Sequence, residues 1–201
     1  MLDVFYPIVP NAAWAKRIVP LGVRSLQLRV KDAGPDQVRA EIAETMAICA
    51  VHGCRLVVND YWRDAIALGA TDIHLGQEDL AEADLGLIRD AGIKLGISTH
   101  TPEELDIALA ARPDYIALGP IYETKLKAMR YAPQGLERIG EWKARISCPL
   151  IAIGGLSVER APAVLAAGAD ILSVVTDFLA NSDPERRVRE WLRLAEAARK
   201  S

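Results

Sequence analysis

Eight short apolar runs, each followed by an amphipathic stretch, extend along this 201-residue chain. The runs 4–9, 25–31, 55–59, 72–75, 94–98, 115–119, 150–153 and 171–175 read as strands. Helical patterns lie between them, for example at 35–51, 102–111 and 158–167. The last pattern, 184–199, aligns Val188, Trp191, Leu192, Leu194 and Ala195 on one stripe. Gly53, Gly92 and Gly168 stand where left-handed helix caps belong, and Ser157 and Asp183-Pro184 supply helix starts. Strand alternating with helix demands a parallel sheet covered on both sides. No linker, low-complexity tract or composition shift interrupts the series. Eight unbroken units predict a single α/β domain over residues 1–201, a (β/α)8 TIM barrel rather than an open doubly wound sheet.

The second run constrains function. In Ser25-Leu26-Gln27-Leu28-Arg29-Val30-Lys31, strict alternation puts Leu26, Leu28 and Val30 on one face and Gln27, Arg29 and Lys31 on the other. If both faces are covered, two inward cations require an anionic partner. Arg29 and Lys31 would lie about 6.6 Å apart along a strand, a spacing that suits a diphosphate better than one carboxylate.

A barrel places its active site at the C-terminal strand ends. There the chain reads Asn59-Asp60 after the third strand and His74-Leu75-Gly76-Gln77-Glu78-Asp79 around the fourth. The fifth ends in Gly96-Ile97-Ser98-Thr99-His100, and the sixth in Gly119-Pro120-Ile121-Tyr122-Glu123-Thr124 with Lys125 and Lys127 beyond. The seventh gives Ala152-Ile153-Gly154-Gly155 and the eighth Val174-Val175-Thr176. Asp60 and Asp79, read as ending neighbouring strands roughly 4.8 Å apart, can together hold one Mg²⁺. Singly, Asp60 reads as well as a helix cap and Asp79 as a solvated loop residue; beside Arg29 and Lys31 the metal reading prevails. Gly154 and Gly155 would leave backbone N–H groups free at a helix start, forming with Val175 and Thr176 the phosphate site usual between strands seven and eight.

The net charge of −3, without a basic tract, argues against nucleic acid as the main partner. The odd set Cys49, Cys54 and Cys148 lacks metal-ligand spacing and reads as free thiols of a reducing cytoplasm. No apolar span is long enough for a membrane helix, and residues 1–10 carry no basic-then-apolar leader. His52, His74 and His100 have no recognisable nucleophile–carboxylate arrangement; His74 reads as a satisfied interior group. Trp14, Trp62, Trp142 and Trp191 fall on helical segments and read as packing. Apolar helical faces permit a homodimer.

The strand-end motifs, in this order, resemble those of the thiamine phosphate synthase family over nearly the whole chain. The resemblance implies Mg²⁺-dependent joining of hydroxymethylpyrimidine diphosphate to thiazole phosphate, releasing thiamine phosphate and pyrophosphate. It implies that Arg29, Lys31 and Lys127 meet the diphosphate, with Asn59 and Thr124 in contact with it. Asp60 and Asp79 would carry the metal, and Gln27 would read the aminopyrimidine ring with Ser98 nearby. Gly154, Gly155, Val175 and Thr176 would hold thiazole phosphate. Taken alone, Asn59 reads as a turn residue, Ser98 as a strand end bonding its own backbone and Lys127 as a solvated loop lysine. The segment 121–134 is long for a βα loop and reads as a lid. Two positions depart from the family pattern: Leu126 replaces a second threonine, and Tyr61 stands where many members have arginine. Three rivals share features with this reading. They are a thiazole tautomerase, a phosphosugar isomerase resting on Gly154-Gly155 alone, and a non-catalytic thiamine phosphate sensor.

Overall fold

The computed structural model describes residues 2–124 and 131–200. Eight parallel strands close a barrel in chain order. They are β1 (Phe5–Val9), β2 (Ser25–Leu28), β3 (Arg55–Asn59), β4 (Asp72–Leu75), β5 (Lys94–Thr99), β6 (Tyr115–Leu118), β7 (Leu150–Ile153) and β8 (Ile171–Val174). Closure is by β1 on β8, with Tyr6 opposite Ser173. Outside the barrel lie α1 (Ala12–Ile18), α2 (Pro35–His52), α3 (Trp62–Leu68), α4 (Gln77–Glu82) and α5 (Leu85–Asp90). They are followed by α6 (Pro102–Ala110), α7 (Glu137–Lys143), α8 (Ala161–Ala166), α9 (Thr176–Leu179) and α10 (Pro184–Ala198). The predicted TIM barrel is therefore the fold observed. Among the described residues no helix is long and apolar enough to cross a membrane.

β2 is markedly shorter than its alternation predicted, while β1, β6 and β8 each lose a single end residue. β2 stops at Leu28, and only the Arg29 N–H continues the ladder, donating to Val9 O at 2.9 Å. The neighbouring β1 ends at Val9, and Pro10 has no N–H to carry pairing further. Arg29 and Lys31 are thus loop residues at the mouth, both exposed, rather than buried cations on a strand face. The sidedness of the alternation survives. Leu26, Leu28 and Val30 pack in the sheet–helix core, whereas Gln27 points into the barrel.

The core has two layers. The larger lies between sheet and helices, where Phe5 stacks on Trp191 at 5.4 Å. The smaller fills the barrel with Leu2, Tyr6, Val57, Tyr115, Ala117, Ile151 and Ile171. Below it, Arg55 grips Asp72 with two hydrogen bonds of 2.9 and 2.7 Å. Gly96 is what lets the Tyr115 ring cross the interior, since a Cβ there would fall 1.9 Å from Tyr115 Cζ. Trp62, Trp142 and Trp191 are buried and Trp14 half-buried, all four on helices.

Candidate active site

Two cavities open at the C-terminal strand ends, of about 610 and about 510 Å³. The first is bounded by Gln27, Arg29, Lys31, Asn59, Asp60 and Asp79. The second lies over the β7 and β8 ends, against Gly154, Gly155, Thr176 and Arg160. Ser98, His100, Thr124, Ile153, Ser173 and Val175 form walls common to both, so the two spaces adjoin. All the sequence-predicted site residues except Lys127 line one or both cavities; Lys127 lies outside the described residues, as do 125–130 as a whole. The flanks of that segment are tied down, by Gln134 N–H to Pro120 O at 2.7 Å and Tyr122 N–H to Gly154 O at 3.1 Å.

The acidic pair assembles, though not as two strand ends. Asp60 follows β3 in the left-handed region (φ 67°), with its N–H bonded to His74 O at 2.9 Å. The cap position of α3 is Tyr61 and has no side-chain cap bond, so Asp60 is not a helix cap. Its carboxylate instead accepts a 2.9 Å hydrogen bond from Lys31 Nζ. Asp79 sits in the first turn of α4, four residues beyond β4, which corrects its placement at a strand end. The turn carries its carboxylate back over Gly76, where a Cβ would lie 3.3 Å from Oδ2. Desolvation first, then the charge of Asp60 and a hydrogen bond between the two side chains, raises the Asp79 pKa above the usual carboxylate range. Lys31 opposes that rise. Two neighbouring acidic side chains on one cavity fit a divalent cation, leaving its other positions to water and phosphate oxygens. Among the described residues no group of three or more His, Cys, Asp or Glu is placed to hold a metal.

The glycine pair also differs from expectation. Gly154 (φ 96°) and Gly155 (φ 66°) occupy the left-handed region. A Cβ at 154 would fall 2.6 Å from Pro120 Cα, and one at 155 would fall 2.5 Å from Glu123 O. These glycines are required by crowding against the β6 loop. They do not open a helix: α8 begins only at Ala161. Arg160, at the cap position of α8, reaches back to the glycine loop. Its Nη1 donates to Gly155 O at 2.6 Å, and its guanidinium lies 4.5 Å from the Tyr122 ring centroid. Sequence reading missed Arg160, because a lone arginine at a helix start carries no pattern. Thr176 opens the four-residue α9 directly after β8, and Asn59 is buried at the end of β3. Ser173 is buried in the wall between the cavities, and among the described residues its Oγ has no hydrogen-bond partner.

The floor of the larger cavity holds a polar chain that crosses the barrel. Gln27 Nε2 donates to Tyr6 OH at 3.0 Å, and Tyr6 OH lies 3.4 Å from Tyr115 OH. Tyr115 OH is 3.0 Å from His74 Nδ1, and His74 Nε2 is 2.8 Å from Ser98 Oγ. Burial pushes the His74 pKa down to about 4 and raises those of both phenols. His74 is thus a satisfied interior group, as expected. Tyr6 and Tyr115 were missed, although both occupy inward positions of their alternating strands. His100 bonds Glu104 through its N–H and Nδ1, at 2.7 and 2.8 Å, and stacks on Tyr131 at 4.3 Å.

Comparison with known proteins settles the lineage. The family model for thiamine monophosphate synthase matches residues 6–178. The chain belongs to that family. Among its relatives, the thiamine-phosphate synthase of Rhizobium etli is 57% identical over 192 residues, covering 95% of this chain and 94% of the relative. That of Escherichia coli K12 is 45% identical over 191 residues, covering 94% and 90%. The solved thiamine phosphate pyrophosphorylase from Pyrococcus furiosus superposes with a TM-score of 0.85 at 21% identity, covering 98% and 96%. A 3-hexulose-6-phosphate synthase superposes with a TM-score of 0.67 at 16% identity, covering 96% and 99%. At such identities the two structures speak for the shared barrel alone.

Proposed function

We propose that this member of the family is a transferase that joins hydroxymethylpyrimidine diphosphate to thiazole phosphate, giving thiamine phosphate and pyrophosphate. The observation that carries the reading is the cluster of Arg29, Lys31, Asp60 and Asp79 on the rim of one of two adjoining cavities. Two adjoining spaces suit a two-substrate condensation better than an isomerisation. Asp60 and Asp79 would hold Mg²⁺, which when bound supplies positive charge to the oxygens of the departing pyrophosphate.

The chain's own residues account for the rest. Arg29 and Lys31, exposed at the mouth, meet the diphosphate, with Asn59 and Thr124 on the cavity walls to orient it. Lys127 would add a third cation, by the family resemblance. Gln27 and Ser98 hold the pyrimidine on the barrel floor. Gly154, Gly155, Val175 and Thr176 hold thiazole phosphate across the shared wall, in the cavity that Arg160 also lines. The carbon–oxygen bond to the diphosphate breaks, and its electron pair leaves with pyrophosphate. The ring's amino group stabilises the resulting pyrimidine cation. The thiazole nitrogen then supplies the electron pair for the new carbon–nitrogen bond. No protein nucleophile is needed; the protein neutralises developing charge, aligns the two centres and excludes water.

The test is to incubate the purified protein with both substrates, with and without Mg²⁺, and to assay thiamine phosphate. Product formation that depends on Mg²⁺ supports the reading. Thiazole tautomerisation indifferent to Mg²⁺, or tight binding of thiamine phosphate without turnover, overturns it. Three free cysteines accord with a cytoplasmic setting, which we place within the same proposal.

A further inference from the structure

The polar chain on the barrel floor has a direction, and the direction follows from counting protons. An amide nitrogen only donates, so Tyr6 OH accepts from Gln27 Nε2. The proton of Tyr6 then has one acceptor along the chain, the Tyr115 oxygen at 3.4 Å. Tyr115, having accepted, gives its proton to His74 Nδ1. His74 therefore carries its proton on Nε2 and donates to Ser98 Oγ, which leaves the Ser98 proton unused. The reverse order fails. If Tyr115 donated to Tyr6, the Tyr6 oxygen would receive two protons and its own would be stranded, buried at 1% exposure. A stranded buried donor costs about 1–3 kcal/mol.

We infer that Tyr6, Tyr115 and His74 are positioning residues that set the polarity of the ring-binding floor, so that Gln27 offers an acceptor and Ser98 a donor. Gln27 and Ser98 both line the larger cavity, from β2 and β5. With its nitrogen held by Tyr6, Gln27 turns Oε1 to the ligand. The pattern of acceptor beside donor is complementary to an aminopyrimidine, whose amino group donates and whose adjacent ring nitrogen accepts. It opposes the 4-oxo counterpart, whose carbonyl would face Gln27 Oε1, acceptor against acceptor. The polarity is deduced from this chain alone; the choice of ligand rests on the function proposed above.

Two measurements test it. Nitrogen-15 NMR of ring-labelled histidine in the free protein should show His74 protonated at Nε2 and bare at Nδ1. A proton on Nδ1 overturns the inference whatever the protein's activity. The second measurement is competitive binding of 4-amino-5-hydroxymethyl-2-methylpyrimidine and its 4-oxo analogue, to the natural chain and to Tyr115→Phe. That variant keeps the ring that fills the barrel and removes the oxygen that joins Tyr6 to His74. The natural chain should favour the amino compound at least about tenfold, which corresponds to about 1.4 kcal/mol. In Tyr115→Phe the preference should shrink several-fold while affinity for thiazole phosphate holds. A preference unchanged in Tyr115→Phe, with the variant folded by circular dichroism, overturns the inference. If amino preference and tautomer hold but no thiamine phosphate forms, the proposed reaction falls and the floor's polarity stands.

Discussion

Replacing His74 by glutamine should flatten the acid side of the stability curve. The imidazole is buried within the barrel, and burial lowers its pKa from 6.5 to about 4. Between those values the unfolded chain binds a proton at residue 74 that the folded chain refuses. The unfolded state binds more protons there, so stability rises with pH and falls on acidification. Integrating the two titrations from about pH 7 to about pH 4 gives a loss of about 3 kcal/mol from this one group. That is a large share of the 5–15 kcal/mol typical of a folded domain, roughly speaking. The assay is urea unfolding at a series of pH values, followed by the fluorescence of the buried tryptophans. Carboxylates such as Asp79 and Glu104 titrate in both proteins, and their effect cancels in the comparison. His74→Gln loses a hydrogen-bonded ring and starts lower at neutral pH, so only the slopes are compared. The natural chain should lose about 3 kcal/mol more than the variant across the window. Parallel curves would refute the claim that the imidazole is held neutral by burial.

Arg29→Ala should lower kcat/KM at least about tenfold, about 1.4 kcal/mol in the barrier, because the guanidinium meets the leaving diphosphate. Its exposure keeps the stability change within about 0.5 kcal/mol, measured by thermal melting; an active variant removes Arg29 from the site. Gly155→Ala forces a Cβ to 2.5 Å from Glu123 O at a φ of 66°, so stability should drop by about 1–3 kcal/mol in urea and KM for thiazole phosphate should rise. A wild-type melt and KM would contradict the crowding. Ser173→Ala removes a buried hydroxyl that lacks a partner among the described residues, so the free protein should be unchanged or up to about 1 kcal/mol more stable. A loss beyond about 1 kcal/mol would mean that the hydroxyl is paired.

The barrel was legible because its signal is collective. Eight apolar runs with helical spacers tolerate errors at single boundaries, and β3, β4 and β7 match their predicted limits residue for residue. The end of β2 was not legible from its own alternation, since pairing stops where Pro10 interrupts the neighbouring strand. Asp79 was found by its motif but misplaced, because a helix turn rather than strand spacing brings it to Asp60. The glycine pair was found for the wrong local reason: crowding against the β6 loop requires it, and the helix starts later. The chain from Gln27 to Ser98 was out of reach. It joins β2, β1, β6, β4 and β5 across the interior, and only closure of the barrel brings those side chains together. Lys127, expected over the diphosphate, lies outside the described residues.

The most direct measurement is thiamine phosphate formation as a function of Mg²⁺ concentration for the natural chain, Asp60→Asn and Asp79→Asn. Without Mg²⁺ the natural chain should be silent, and its rate should rise to saturation as the ion is added. Each variant should require more Mg²⁺ and still turn over at least about tenfold more slowly at saturation. Turnover that persists in chelator, or variants that match the natural chain across the titration, would contradict a leaving group held by these two carboxylates.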